Sequence, residues 1–209
     1  MSLYGRLFAR FYDRAMAVSE EAGLTQQRAA LLAQARGRVL ELGAGTGLNL
    51  GHYDPSAVTE LVLTEPEEPM LRRLAPRAAA GEPRASAVRA IAEELPFADA
   101  SFDTVVSTLT LCTVDDVPAA LTEARRLLVP GGRLLFLEHV RSGDARAARR
   151  QDRLTPLWRR VAHGCHPNRD TLAAIEAARF EIERVDHGRF PKAPRIVEPL
   201  ISGVAVKPS

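Results

Sequence analysis

A glycine-rich turn follows the apolar run at residues 39–42 and gives the first indication of chemistry. The segment reads V-L-E-L-G-A-G-T-G, with glycine at every second position: Gly43, Gly45 and Gly47. A dinucleotide-binding turn needs a further glycine three residues after the second, and that position holds Leu48. A P-loop needs lysine followed by serine or threonine, and the residues after Gly47 supply neither. The turn therefore indicates a ligand that is not held by its phosphates.

Two acidic residues lie close to this turn in the expected fold. Glu41 ends the strand before it, and Glu65 ends the next predicted strand. A carboxylate at position 41 would repel a pyrophosphate but can accept hydrogen bonds from an ammonium group. Glu65 stands where such sheets place the carboxylate that holds ribose hydroxyls. A nucleoside with an amino-acid tail, S-adenosylmethionine, satisfies both observations; the alternative is a tight strand–helix turn that binds nothing.

An alternation of strand and helix patterns must position these residues. Apolar residues at helical spacing at 24–35, 67–79 and 116–128 predict helices between strands. Runs rich in β-branched and other apolar residues predict seven strands, at 38–42, 59–64, 85–89, 103–108, 132–138, 180–186 and 201–206. This order predicts one α/β domain over residues 1–209, with a mostly parallel sheet and helices on both faces. We predict that residues 143–178 form an inserted helical segment on the acceptor side of the pocket.

Composition limits the classes of function that the chain can have. The 209 residues are 46% hydrophobic and 26% charged, as in ordinary globular proteins, and the net charge is only +2. This charge gives no electrostatic reason to expect nucleic acid as a partner. We expect no transmembrane segment, because no window offers about 20 apolar residues. Two cysteines are too few for a disulfide framework, which favours the cytoplasm.

Four motifs together resemble those of class I S-adenosylmethionine-dependent methyltransferases. They are V-L-E-L-G-A-G-T-G, L-V-L-T-E-P-E-E-P-M-L, E-L-P-F-A-D-A-S-F-D-T-V-V-S-T-L-T-L-C-T-V and L-V-P-G-G-R-L-L-F-L-E-H-V, between residues 36 and 140. The segments L-F-L-E-H-V and H-G-C-H-P-N-R-D are also similar to the thiol S-methyltransferase branch. The opening F-A-R-F-Y-D-R-A-M resembles bacterial phospholipid and ubiquinone methyltransferases. The resemblance implies a Rossmann-like seven-stranded sheet whose last strand is antiparallel.

The resemblance also implies which residues bind the cofactor. Glu41 would face its amino group, and Glu65 would hold its ribose. In the family a polar residue before an alanine often reads the adenine, but this chain has Ile91 before Ala92, which leaves backbone contacts there. The other implied contacts are the turn at Gly43, Ala44, Gly45 and Gly47, then Pro66 and Met70 near the adenine, and Thr108 and Leu109 beside the methionine portion.

The N-terminal segment 1–35 is expected to form helices that cover the cofactor. Tyr12 resembles the aromatic residue that closes over the cofactor in the family. The alternative is an amphipathic helix whose Phe8, Phe11 and Met16 pack on the core.

His139 is the candidate catalytic residue, because it follows the fifth strand at the edge where an acceptor would dock. An amine or phenol acceptor would need such a base, whereas a thiol is already partly ionised at neutral pH. Cys165 lies between His163 and His166, but this spacing is not that of zinc sites, so no metal is expected.

These features predict methyl transfer from S-adenosylmethionine, with S-adenosylhomocysteine as product, to a small and fairly apolar acceptor. Sulfur and nitrogen are the favoured atoms. The alternative is a catalytically silent cofactor-binding protein that acts in interaction or assembly. A basic run of six arginines between residues 146 and 160 is typical of a solvated helix face, although it could also contact anionic lipid headgroups.

Overall fold

The computed structural model describes residues 3–81 and 83–209, without the side chains of Leu3, Tyr4, Arg6 and Phe8. The expected packing of Phe8 therefore lies outside the described side chains. Seven strands form one sheet: β1 (Gly37–Leu42), β2 (Val58–Thr64), β3 (Ala85–Val88), β4 (Phe102–Thr108), β5 (Leu128–His139), β6 (Glu181–Arg189) and β7 (Pro199–Val206).

The sheet has the order β3-β2-β1-β4-β5-β7-β6. The pairs from β3 to β5 are all parallel, and β7 runs antiparallel to both of its neighbours, β5 and β6. The order reverses between β1 and β4, where parallel α/β sheets open a crevice at the carboxyl ends of the strands. The predicted seven-stranded Rossmann-like sheet with an antiparallel last strand is confirmed.

Helices cover both faces of this sheet. They are α1 (Leu3–Ser19), α2 (Thr25–Leu32), α3 (Glu68–Ala80), α4 (Val117–Leu127), α5 (Ala145–Val161) and α6 (Thr171–Ala177). The chain kinks between α1 and α2 at Gly23, whose φ of 124° is open to glycine but costly for other residues. Asp116, Asp144 and Asp170 cap the helices α4, α5 and α6 by accepting backbone N–H bonds. No helix in residues 3–81 or 83–209 is long and apolar enough to cross a membrane.

Alternating side chains divide the core between the two faces of the sheet. In β5, Leu135 and Leu137 pack in one cluster with α2 and α3, whereas Leu134 and Phe136 pack in the other with α4 and α6. Because side chains alternate along a strand, His139 shares the face of Leu135 and Leu137. Glu41 lies two residues after Val39, which packs in the same cluster as Leu135. The sequence pattern thus places Glu41 and His139 on one face, at the carboxyl ends of their strands.

The observed elements differ from the sequence predictions mainly at their ends. Strand β5 begins at Leu128, directly after α4, whereas its apolar run predicted a start at residue 132. Residues 129–132, Val-Pro-Gly-Gly, separate the first paired residue, Leu128, from the main ladder, so the pairing with β4 shifts register there. Segment 143–178 contains α5, α6 and the loop between them.

Candidate active site

The glycine turn adopts backbone conformations that other residues reach only at a cost. Gly43, Gly45 and Gly47 have φ values of 57°, 60° and 89°. A Cβ at Gly43 would lie 2.6 Å from Thr110 Cγ2, and one at Gly47 would lie 2.7 Å from Leu50 Cδ1. A Cβ at Gly45 would meet only Tyr12, at 3.9 Å. The first and third glycines therefore allow close packing, and the middle one keeps the backbone open towards Tyr12.

A cavity of about 250 Å³, including its open mouth, lies beside this turn at the carboxyl ends of β1 and β4. It is lined by Tyr12, Arg28, Glu41, Gly43, Ala44, Gly45, Leu48, Asn49 and Thr108. Six of these were singled out in the sequence, and the structure brings them together from α1, β1, the glycine turn and β4.

Glu41 lies at the base of the cavity and is 2% exposed. Its Oε1 accepts a hydrogen bond of 2.9 Å from Asn49 Nδ2, and its Oε2 accepts one of 2.6 Å from Tyr53 OH. Burial raises the pKa of Glu41, while the bonds from Tyr53 and Asn49 and the charge of Arg28 lower it in part. Each carboxylate oxygen can accept a second bond, so Glu41 can still bind an ammonium group.

Arg28 of α2 is a buried cation in the same cavity, and no sequence motif indicated it. It is 3% exposed and pairs through Nε with Glu20 Oε1 at 2.9 Å. Its NH1 donates to Asn49 Oδ1 at 3.0 Å and to Thr108 Oγ1 at 3.1 Å. The cavity therefore offers a carboxylate and a guanidinium, the two charges that the zwitterionic tail of an amino acid requires.

Glu65 lies next to the turn at the end of β2 and is 5% exposed. Its Oε2 accepts from the N–H of Gly45 at 2.8 Å, and its Oε1 accepts from the N–H of Glu67 at 2.9 Å. Burial raises the pKa of Glu65 to about 6, although these two backbone bonds oppose the shift. Through Gly45, Glu65 borders the same crevice as Glu41.

Helix α1 is fixed over the turn by Asp13. Its carboxylate accepts from the Thr46 hydroxyl, within the turn, and from Arg77 NH2 of α3 at 2.9 Å. Arg77 NH1 also donates to the Thr46 carbonyl at 2.8 Å. These contacts place the neighbouring Tyr12 in the cavity, where burial raises the pKa of its hydroxyl to about 12. Met16 packs against the core, whereas Phe11 is 45% exposed.

Besides Gly47 and Glu65, four predicted cofactor contacts lie outside the cavity lining. Met70 is buried in α3, and Ala92 packs in the core cluster on the face of α4. Pro66 is exposed, and its carbonyl accepts from Arg89 Nε at 3.2 Å, which joins the loop after β2 to the loop after β3. Leu109 follows β4 in a left-handed conformation, with φ of 56°.

A second group of residues, the Cys112–His139–Cys165 cluster, lies at the same edge of the sheet. The three residues are 2%, 3% and 7% exposed. His139 Nε2 lies 3.0 Å from Cys165 Sγ, and Trp158 Nε1 donates to the same sulfur at 3.2 Å. Among the described atoms, His139 Nδ1 has no hydrogen-bond partner. The structure thus joins His139 to cysteines that come from the loops after β4 and α5.

The contacts of the cluster favour a thiolate at Cys165. The Cys112 thiol, His139 and Trp158 all stabilise negative charge on Cys165, and together they lower the pKa of its thiol to about 4 although burial opposes them. The hydrogen bond to Cys165 and burial raise the pKa of Cys112 well above its usual value. Cys112 is therefore the sulfur that keeps its proton, and its Sγ donates to the carbonyl of Leu109 at 3.3 Å.

Comparisons with known proteins identify the family. The family model described as a methyltransferase domain matches residues 40–136. The chain is 36% identical over 173 residues to the thiol S-methyltransferase TMT1B of Rattus norvegicus, covering 81% of this chain and 70% of that protein. It is 34% identical to the human thiol S-methyltransferase TMT1A over the same length and coverage. A ubiquinone/menaquinone C-methyltransferase of Paracoccus denitrificans matches at 38% identity over 103 residues, 48% of this chain and 41% of that protein.

Solved structures share the fold. A Thermotoga maritima S-adenosylmethionine-dependent methyltransferase superposes with a TM-score of 0.68 at 24% identity, covering 96% of this chain and 97% of that chain. A chain from a Haloferax volcanii complex between the Trm112 activator and a methyltransferase gives a TM-score of 0.76 at 16% identity, with full coverage of both chains. The motifs, the sheet order and the matched relatives agree, and the chain belongs to the class I S-adenosylmethionine-dependent methyltransferases.

Proposed function

We propose that this enzyme transfers the methyl group of S-adenosylmethionine to the sulfur of a small, fairly apolar thiol. The observation that supports this choice most strongly is the similarity to two thiol S-methyltransferases, which extends over 81% of the chain. The match to the ubiquinone/menaquinone C-methyltransferase spans only 48% of the chain.

The cofactor would lie along the carboxyl ends of β1, β2 and β4. Glu41 would accept from its ammonium group, and Arg28 would face its carboxylate. Glu65 would accept from the ribose hydroxyls in addition to its two backbone N–H donors. The linked loops at Pro66 and Arg89 would border the adenine, with Met70 and the backbone of Ala92 nearby. Helix α1 would cover the cofactor through Tyr12.

The acceptor would enter from the side of segment 143–178. Gln151 of α5 fixes this segment to the sheet, since the two N–H groups of its Nε2 are shared among the carbonyls of Val140, Pro167 and Ile196 at 3.1, 2.9 and 2.9 Å. Trp158 of the same helix packs against the core cluster that contains Cys112. The wall of the acceptor pocket would then be largely apolar.

The reaction requires alignment more than acid–base chemistry. The acceptor sulfur attacks the methyl carbon as the bond from that carbon to the sulfonium sulfur breaks, and S-adenosylhomocysteine leaves. A thiol loses its proton to solvent beforehand, because a few per cent is ionised near neutral pH. His139 remains our candidate catalytic residue on the acceptor side. It would orient Cys165 through Nε2 and offer Nδ1 to the acceptor.

An acceptor panel tests this function. The purified enzyme is incubated with methyl-labelled S-adenosylmethionine and matched alkyl thiols, amines and quinols, and the labelled products are identified by mass spectrometry. We expect the label on sulfur, with turnover of the thiol at least about tenfold faster than that of the amine of equal chain length. Preferred labelling of nitrogen or carbon would contradict thiol specificity.

We also propose a cytoplasmic location with peripheral membrane contact through α5. Leu154, Leu157 and Val161 are exposed on this helix at a spacing that places them on one face, among its arginines. Co-sedimentation with anionic vesicles tests the contact. We expect the unmodified protein to sediment with the vesicles and Leu157→Glu to sediment with them less. Absence of vesicle binding at low salt would contradict membrane contact through α5.

A further inference from the structure

The Cys112–His139–Cys165 cluster brings together more donor groups than methyl transfer to a thiol requires. Its sulfur and nitrogen donors come from three separate parts of the chain, and they all lie within 4.8 Å of one another. A buried group of two thiols and one imidazole is not needed to hold the cofactor, whose cavity has other lining residues. Thiolate sulfur and imidazole nitrogen are, however, the donors that zinc prefers.

The donors lie close enough together to share one ion. With zinc–sulfur bonds of about 2.3 Å and zinc–nitrogen bonds of about 2.0 Å, tetrahedral ligands lie roughly 3.5–4 Å apart. The three donors lie within 4.8 Å of one another, and the one contact between His139 Nε2 and Cys165 Sγ, at 3.0 Å, is shorter than that separation. Small rotations of the side chains would therefore suffice to admit an ion between them.

The backbone around the cluster is held in place independently of any ion. The N–H of His166 donates to the carbonyl of Cys112 at 2.8 Å, which joins the two cysteine-bearing loops. Arg169 donates to the carbonyls of Leu111 and Val114 at 2.5 and 2.7 Å, on both sides of Cys112. Trp158 Nε1 donates to Cys165 Sγ, the type of outer contact that orients ligands in metal sites.

The combined charge of the three donors favours a divalent metal ion. Two thiolates and a neutral imidazole carry a charge of −2, so Zn²⁺ gives a neutral complex, whereas Cu⁺ would leave a buried negative charge. The charged groups next to the cysteines, Glu138 and Arg169, oppose each other in sign and leave this balance unchanged.

We propose that Cys112, His139 and Cys165 bind one Zn²⁺ ion, with a fourth position left for water or another small ligand. Three protein ligands with one open position are the arrangement of zinc sites that take part in chemistry, including sites made of two cysteines and one histidine. The sequence prediction of no metal was based only on the close spacing of the H-G-C-H segment. The proposed ligands lie far apart in the sequence and include neither His163 nor His166. The site does not depend on the identity of the methyl acceptor.

Metal analysis of the full-length protein tests the site. The protein is loaded with ZnSO₄, passed through a desalting column and analysed for zinc by mass spectrometry. We expect about one zinc per chain in the unmodified protein and in His187→Gln, a control at an exposed histidine of β6. Cys112→Ser and Cys165→Ser should each retain less than about a tenth of that zinc. Equal zinc content in all four proteins, or none in the unmodified protein, would overturn the proposal.

A second measurement uses only the unmodified protein, so it does not depend on whether the variants fold. Co²⁺ is added in place of zinc, and absorption spectra are recorded before and after Zn²⁺ is supplied. Thiolate ligation predicts a cobalt–thiolate charge-transfer band that zinc abolishes. Absence of the band, or a Cys112–Cys165 disulfide in protein purified under reducing conditions, would overturn the site whatever acceptor the enzyme methylates.

Discussion

At the scale of single residues, charge is the main determinant of the cofactor cavity. Glu41 and Arg28 are almost fully buried, and both line the cavity while sharing Asn49 as a hydrogen-bond partner. Two opposite charges placed in this way recognise a zwitterion better than either an anion or a cation. Glu65 adds a carboxylate whose pKa is raised to about 6, so its charge state changes within an accessible pH range.

Cofactor affinity should fall as the pH decreases below about 6, because protonation removes one acceptor oxygen of Glu65 from the ribose. The dependence should approach tenfold per pH unit. Glu65→Gln should weaken binding about 10- to 100-fold at neutral pH and abolish most of this dependence, since a hydrogen bond to a charged group contributes about 1.5–3 kcal/mol. Isothermal titration calorimetry from about pH 7 to about pH 5 measures both effects.

Glu60→Gln is the matched control. Glu60 lies in β2, the strand that leads to Glu65; it is 51% exposed and pairs with Arg38 outside the cavity lining. Affinity that is independent of pH in the unmodified protein, or equal losses in the two variants, would contradict the assignment of Glu65.

At the scale of elements, the two sides of the site are fixed differently. Helix α1 is linked to the glycine turn and α3 through Asp13, whose side chain is 27% exposed. Segment 143–178 is fixed by the buried Gln151, whose two amide N–H groups are shared among three carbonyls. Ion pairs at partly exposed positions contribute little each, so α1 is the element more easily detached.

Asp13→Ala should loosen α1 over the cofactor. We expect faster hydrogen exchange of the α1 backbone and about a twofold to fivefold loss of cofactor affinity, because only partly exposed contacts are removed. Arg14→Ala, at the exposed neighbouring residue of the same helix, should change neither quantity. Unchanged exchange in Asp13→Ala would show that other contacts hold α1 in place.

At the scale of the whole molecule, local patterns predicted the sheet and part of the cavity. All seven strands overlap predicted segments, because alternating and continuous apolar runs reflect burial directly. The glycine turn, Glu41 and Thr108 meet at one crevice, since the carboxyl ends of adjacent parallel strands lie together.

Other features depend on contacts between distant segments, which no local pattern contains. Arg28 belongs to no motif, and only its bonds to Asn49 and Thr108, 21 and 80 residues away, show its position. His139 and Cys165 are 26 residues apart in the chain and contact each other only after α5 has packed on the sheet. The buried arginine and the sulfur cluster could therefore not be read from the sequence.

The central claim is that this cavity recognises the amino-acid tail of the cofactor, and comparison of two ligands by calorimetry tests it most directly. S-adenosylhomocysteine has the tail, whereas 5′-methylthioadenosine keeps the adenosine and the sulfur but lacks it. With Glu41 and Arg28 placed as described, S-adenosylhomocysteine should bind at least about tenfold more tightly. Equal affinities of the two ligands would contradict the account.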